Sequence, residues 1–321
     1  MTTILAADIG GTNSRFARYE VNLEGRLEPV ETRWTQTAEA DSFADLLAKS
    51  SGAGFTLRPS DYDIAVFAVA GPVESGVFSR PPNIAWTIDL NTLGDRFHFR
   101  KTVLVNDFLA QAYAALSHLS QNFQPVLSGR KDPRGVMGVI GAGTGLGHAA
   151  LAPLGDGQWA PIASEGGHSS FPFQSAAETA YMQFLLEETG EPYVRSEVVV
   201  SGRGLSLLHR YLTGESLEPH EVAEHLHPES STLSWMAGFY ARICRNYALQ
   251  ILALGGLVIA GGLAAKNPAI VRHPAFEAEF RRSQTMEGLL DQIPVSLNTD
   301  EESGLWGAAQ YGLMALESNY H

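Results

Sequence analysis

Residues 8–13, DIGGTN, set a carboxylate beside a turn of small residues. A Gly-Gly-Thr turn lets main-chain N–H groups and a hydroxyl approach a phosphate oxygen closely, whereas Asp8 should repel phosphate. The contradiction resolves if the phosphates arrive with Mg²⁺. That ion takes one or two carboxylates, often through water, and gives its other positions to phosphate oxygens. On this reading Asp8 faces the metal, through water. A second Gly/Thr turn, GAGTGLG at 141–147, has no acid at the matching place, so the two turns would divide the labour of holding a polyphosphate. Each turn alone reads equally as a tight hairpin needing glycine at positive φ; their parallel placement in the two halves favours the phosphate reading.

The remaining polar motifs suit a neutral acceptor. VLVNDFLA ends an apolar strand with Asn106 and Asp107 just where a helix begins, and strand carboxyl ends are where ligands sit in α/β sheets. Asp107 has two readings, a helix N-cap or a catalytic carboxylate. EGGH carries Glu165 and His168 around two glycines that let both side chains converge. Asn, Asp, Glu and His together hydrogen-bond vicinal hydroxyls, which a sugar offers. Glu197, in VRSEVVVSGRG, precedes a strand-like run and reads from the residues alone as solvated.

Familiar templates fail. The glycines at 141, 143, 145 and 147 leave Leu146 at the sixth position of G-x-G-x-x-G, and no Gly-Lys pair exists for a P-loop. His220 and His225 are five apart, which misses the spacing of two zinc ligands on one helix face, and G-x-S-x-G is absent. HEVAEH is expected to be an exposed acidic helix.

The elements that must position these residues form a repeated pattern. TTILAADIGGTNSRFARYEV and GVMGVIGAGTGLGHAALAPL each read as a hairpin. Each is followed by two strand-to-helix units. In the first half these are DIAVFAVAGPV and TVLVNDFLAQAYAALSHL; in the second, GLVIAGGLAAKNPAIV and IPVSLNTDEESGLWGAAQYGLMAL. The continuous apolar strands IAVFAVA, TVLVN and LVIA imply sheets covered on both faces. The expectation is a duplicated α/β fold of two lobes with an active-site cleft between them. The longest helix is predicted from Ser231 to Leu254, stopped by Gly255 and facing the core.

At 321 residues the chain has room for about two domains. A net charge of −13 without a basic run excludes nucleic acid and anionic membrane as partners. The single cysteine, Cys244, excludes an internal disulfide and is read as core packing. The start of the chain has no basic region before its apolar residues, which predicts a cytoplasmic protein. Residues 246–265 are uncharged and long enough for a membrane span, but paired glycines divide them into helix, turn, strand and turn.

DIGGTN, NDF, GAGTGLG, EGGH, SGRGL and IAGGL, in that order, resemble the bacterial glucokinases of the hexokinase, heat-shock ATPase and actin superfamily over essentially the whole chain. The resemblance implies a duplicated ribonuclease-H-like (actin-like ATPase) fold, α/β in class, with a small lobe at 1–117 plus 302–321 and a large lobe at 118–301. The C-terminal SGLWGAAQYGLMAL would be a helix returning to the first lobe. It implies ATP-dependent phosphorylation of glucose at the entry to glycolysis, with Asp107 as the catalytic base. Asn106, Asp107, Glu165, His168 and Glu197 become the sugar ligands, so the resemblance restores a role to Glu197. Asp8, Ile9, Gly10, Gly11, Thr12 and Asn13 match the first phosphate loop. Gly143, Thr144 and Gly145 match the second, and Gly261 and Gly262 the adenosine segment. ATP and Mg²⁺ are the implied cofactors, glucose and Mg-ATP the partners, and a homodimer the assembly. Many ROK relatives place a cysteine-rich zinc motif after E-x-G-H; this chain lacks it, so no zinc is expected at His168.

Asp107 is then expected to take the proton of the sugar 6-hydroxyl while that oxygen attacks the γ-phosphate in line. The lobes are expected to close on the sugar, because water competes as acceptor. A kinase for another hexose, such as mannose or an N-acetylhexosamine, is the nearest alternative. An actin-like or chaperone-like ATPase would share the phosphate turns without needing the sugar set.

Overall fold

The computed structural model describes residues 2–52 and 54–317. Met1, Ala53 and residues 318–321, all within the lobe expected at 1–117 plus 302–321, lie outside the described residues. The chain forms two compact units, one from residues up to Gln121 together with those from Glu301 onward, the other from Asn122–Asp300.

The first unit is built on a five-stranded sheet. Strands β1 (Thr3–Ile9), β2 (Asn13–Val21) and β3 (Leu27–Gln36) form an antiparallel meander; helix α1 (Phe43–Ser50) follows, and β4 (Ile64–Val69) and β5 (Thr102–Asn106) join parallel to β1, giving the order β3-β2-β1-β4-β5. All six side chains of β4 are buried, because this central strand is covered on both faces. One face holds Phe16, Phe43, Leu46, Phe67 and Phe99. The C-terminal helix, Ser303–Glu317, packs against β1, β4 and helix α2 (Asp107–Ala114). It comes close because it presents glycine: a Cβ on Gly307 would collide with the Ala110 carbonyl, and one on Gly312 would reach Ile4 and Val66.

Two local expectations are corrected here. Among the described residues no α-helix lies between β4 and β5. Gly71, at φ +96°, turns the chain into three two-residue strands, Val73–Glu74, Phe78–Ser79 and Ile88–Asp89, since Pro72, Pro81 and Pro82 each deny a helix its N–H donor. Helix α2 ends at Ala114 rather than running to Leu119. The Ser117 hydroxyl takes the Ala114 carbonyl at 2.7 Å, and a 3₁₀ turn at His118–Asn122 continues the chain.

The second unit repeats the plan. After β6 (Gln124–Leu127), strands β7 (Met137–Ala142), β8 (Leu146–Gly155) and β9 (Gln158–Ser164) make a meander. Strands β10 (Leu257–Ala260) and β11 (Val295–Leu297) add parallel to β7, in the order β9-β8-β7-β10-β11-β6. Between β9 and β10 lie α3 (Ala176–Thr189), α4 (Ser196–Val199), α5 (Gly202–Thr213), α6 (Pro219–Glu224) and α7 (Ser231–Ile251). After β10 come α8 (Gly262–Lys266) and, later, α9 (Pro274–Arg281). Meander plus two parallel strands in both units makes the duplication structural and gives the ribonuclease-H-like pattern. The strand-like SEVVVSGRG is instead the two helices α4 and α5, because the Ser201 hydroxyl caps α5 by accepting from Gly204 N at 3.1 Å. Helix α7 stops at Ile251, with Leu252 in the left-handed region at φ +52°, three residues before the expected stop at Gly255. Cys244 lies buried on α7. So does Arg242, which forks onto Glu178 at 2.6 and 3.0 Å and reaches Glu279 at 2.9 Å, tying α3, α7 and α9 together. Helix α6 exposes both its His220 and the following His225 while burying Val222, as HEVAEH implied. Among the described residues no helix is long and apolar enough to cross a membrane.

Candidate functional site

In the first unit the parallel register brings the chemistry to one edge. Ile9 pairs with Val69, and Val69 with Asn106, so β1, β4 and β5 deliver the Asp8 turn and the Asn106–Asp107 pair to the same carboxyl edge of the sheet. That edge is where α/β sheets bind ligands. Gly10 N closes the turn on Asn13 O at 3.1 Å. Thr12 and Asn13 are exposed. A Cβ on Gly11 would fall 2.7 Å from the Asn83 carbonyl, so the turn fits its neighbours only without side chains.

Asp8 is half-buried, opposite Arg15 in the β1/β2 register, and the C-terminal helix lies over it so closely that a Cβ on Gly304 would be 3.0 Å from Asp8 Oδ2. Burial raises the Asp8 carboxyl above its ordinary range, with the Arg15 charge acting the other way. Among the described residues no three His, Cys, Asp or Glu side chains gather as an all-protein metal cage. A lone, desolvated carboxylate at a phosphate turn instead suits Mg²⁺, which keeps waters and draws its other ligands from phosphate.

Asn106, not Asp107, is the helix N-cap. Its Oδ1 accepts from Phe108 N at 2.9 Å and Leu109 N at 3.2 Å, while its Nδ2 donates to Gly71 O at 3.1 Å. The capping reading of Asp107 is thereby corrected. Asp107 is the first helical residue, half-buried, with its Oδ1 2.9 Å from Phe108 N at the positive end of α2. Since the amide of Asn106 carries two hydrogens, one remains for a ligand.

In the second unit the Gly143–Gly145 turn stands at the end of β7, closed by Gly143 N donating to Gly145 O at 2.8 Å. Gly141 pairs with Ala260, so Gly261 and Gly262 open at the same sheet edge. Gly261 has φ +84°, and a Cβ there would sit 2.6 Å from the Ala142 carbonyl, pressing the two segments together. Neither phosphate-type turn uses positive φ: Gly10, Gly11, Gly143 and Gly145 all lie outside that region, which corrects the tight-hairpin expectation. What they need is the missing Cβ. Around Gly143 the space is open to 4 Å, and Thr144 is exposed beside it.

The acidic and imidazole residues converge as the glycines of EGGH allow. His168 Nε2 is 3.7 Å from Glu165 Oε2, and His168 Nδ1 is 3.4 Å from Glu197 Oε1. Backbone bonds pin the two segments together, Ser196 N to Ser169 O at 2.8 Å and Phe171 N to Val194 O at 2.9 Å. Glu197 is not solvated as the residues alone suggested; its side chain is 19% exposed, and a Cβ on Gly145 would fall 2.9 Å from its Oε2. Within this unit, then, the second phosphate-type turn and the carboxylate–imidazole cluster abut.

Two participants were missed in the sequence. Arg195 joins His168, Glu197 and Glu191, and its signal was an arginine flanked at four and two residues by glutamates. His148, on β8, lies behind the EGGH loop, so that a Cβ on Gly166 would fall 2.4 Å from its Nδ1. Its ring stacks on Tyr247 with centroids 4.5 Å apart, and burial lowers its pKa to about 4. Nothing in the sequence marked a histidine in an alternating strand.

The chain is similar to known proteins along its whole length. The family model for glucokinase matches residues 5–314. A glucokinase of Pseudomonas paraeruginosa is 32% identical over 327 residues, covering 98% of this chain and 93% of that protein. The crystal structure of glucokinase from an Antarctic psychrotroph superposes with a TM-score of 0.80 at 27% identity, covering 97% of this chain and 98% of that one. A ROK family glucokinase from Streptomyces griseus, solved with glucose and AMPPNP, shares the fold at a TM-score of 0.65 and 18% identity, covering 96% and 98%. With two sheet edges bearing Gly/Thr turns, one beside an Asn-Asp pair and the other beside a Glu–His cluster, and with similarity along its whole length, the chain belongs to the glucokinase family.

Proposed function

We propose that the chain transfers the γ-phosphoryl group of Mg-ATP to the 6-hydroxyl of glucose, with Asp107 as general base. The observation that carries this is the placement of Asp107 at the first position of α2, on the same sheet edge as the Asp8 turn, with the capping duty taken by Asn106. An aspartate at the first helical position after a parallel strand has the position and the carboxylate oxygens to accept a substrate proton.

In the proposed reaction the Asp107 carboxylate accepts the hydroxyl proton as the sugar oxygen bonds to the γ-phosphorus and the bond to the ADP oxygen breaks. Asn106, Glu165, His168 and Glu197 hold the remaining hydroxyls. The turns at Asp8–Asn13 and Gly143–Gly145 approach the phosphates, and Gly261–Gly262 the adenosine. Asp8 would hold Mg²⁺ through water, and the ion would supply charge neutralisation on the phosphate oxygens. Because the transition state is loose, positioning supplies most of the acceleration. A cytoplasmic homodimer is the proposed working form.

ADP release from Mg-ATP against a panel of neutral sugars, with a sugar-free control and Asp107→Ala in parallel, tests the reading. Glucose-dependent release that the substitution abolishes is the expected result. Release independent of sugar would assign the chain to the ATPases instead, and a stronger response to mannose or an N-acetylhexosamine would move the substrate.

A further inference from the structure

The carboxylates around His168 make its state matter. Glu165, Glu197 and, one step away, Glu191 surround the ring with acceptors, yet its nearest hydrogen-bonding group is a cation. Arg195 NH1 lies 3.0 Å from His168 Nδ1. A guanidinium has only donors and stays charged, so Nδ1 must offer its lone pair. A neutral imidazole accepting at Nδ1 carries its hydrogen on Nε2. We propose that Arg195 is a positioning residue that holds His168 in the Nε2–H tautomer, so that His168 meets the sugar as a hydrogen-bond donor. This rests on the reading of His168 as a sugar ligand.

The arginine is itself fixed. Its Nε and NH2 fork onto the two oxygens of Glu191, each at 2.7 Å, and its NH1 also contacts Glu197 Oε1. The fork matches carboxylate geometry, so the third nitrogen is presented to the ring in one orientation. On the far side of the imidazole, Nε2 stands 3.7 Å from Glu165 Oε2, beyond direct bonding. A hydroxyl is both donor and acceptor. Placed there, it takes the Nε2 hydrogen and gives its own to Glu165, and an ether or a deoxy carbon cannot do both. Take Arg195 away, and the next partner of Nδ1 is Glu197 Oε1 at 3.4 Å, which only accepts. The hydrogen would move to Nδ1, leaving Nε2 and Glu165 as two acceptors facing one hydroxyl.

The test is the ¹⁵N spectrum of the full chain labelled at histidine, with His168 assigned by difference against His168→Gln. In the wild type the hydrogen should be on Nε2, and in Arg195→Leu on Nδ1. A wild-type ring protonated at Nδ1, or an unchanged tautomer in Arg195→Leu, overturns the proposal. Because this measurement needs no glucose, it stands whether or not glucose is the substrate. In kinetics, Arg195→Leu should raise the glucose KM by about 10- to 100-fold, the loss expected when a polar partner is left unmatched, with a smaller change in kcat. Arg195→Lys, which still donates to Nδ1, should recover part of that loss. Losses from Arg195→Leu and His168→Gln that add in full in the double variant would separate the two residues and overturn the proposal. If Arg195→Leu does not fold, Glu191→Gln loosens the fork and should raise the KM in the same direction by less; no change there also counts against it.

Discussion

The two hairpin turns stand at corresponding places in the two units, yet they are loaded differently. Both end the first strand of a meander, both carry an exposed threonine, and both face the edge where two parallel strands finish. Aligned by strand ends, the position of Asp8 is taken in the second unit by Gly141. The first turn is closed in by the C-terminal helix over Asp8; the second is open at Gly143 and touches Glu197 through Gly145. Duplication thus preserved the scaffold, while a carboxylate at the strand end went to one copy and a carboxylate–imidazole cluster beside the turn to the other. A fold repeated for packing reasons can divide its chemistry, since the strand ends fix where a side chain stands but not which one it is.

The sharpest way to break that comparison is in the first unit. Asp107→Asn keeps the size of the side chain and removes the base, so kcat should fall by about 10²- to 10⁴-fold with little change in glucose KM. Near-normal turnover would remove the division of labour altogether. Asp8→Asn should lower turnover by about 10²-fold, as loss of one charge-stabilising group does. The same substitution should raise the melting temperature at neutral pH. Burial raises the folded-state pKa of Asp8, so the folded state binds the proton more tightly than the unfolded one. The stability linked to that proton is present below the unfolded pKa and is lost as pH rises through the folded one. A lower melting temperature in Asp8→Asn would contradict the desolvation account.

Smaller effects sharpen the second unit. Gly145→Ala puts a methyl 2.9 Å from Glu197 Oε2, so the carboxylate at the end of that flexible side chain must turn aside; stability should change little while the glucose KM rises. Gly143→Ala meets open space, so its melting temperature should stay near wild type and its defect should appear in the ATP KM. If Gly145→Ala leaves the glucose KM at the wild-type value, the asymmetry within the turn is wrong. His148 gives the pH counterpart of Asp8 with the opposite sign. Its pKa is pushed down to about 4, so between the ordinary histidine value and 4 the unfolded state binds the extra proton and stability falls as pH falls. That window corresponds to roughly 3 kcal/mol at most. His148→Phe keeps the stack on Tyr247 and should flatten the acid limb of a urea-melt series; an unchanged limb would assign it to other groups.

The order of motifs and the alternation of apolar runs let the sequence determine the duplicated α/β plan, because strand and helix periodicities follow from local geometry. They also marked Asp8, Asn106, Asp107, Glu165 and His168, whose types and glycine neighbours are informative in a linear reading. Tertiary structure decided the rest. Only register across β4 and β5 puts Asn106 on the same sheet edge as the Asp8 turn, and only the folded helix end gives the capping role to Asn106 rather than Asp107. Glu197 read as solvated because a short helix looks like a strand when its valines are consecutive; the bridge between residues 169–171 and 194–196 turned it inward. Arg195 and His148 went unread for the same reason. Their meaning lies in partners from other segments, at distances that a sequence sets only after the chain has folded.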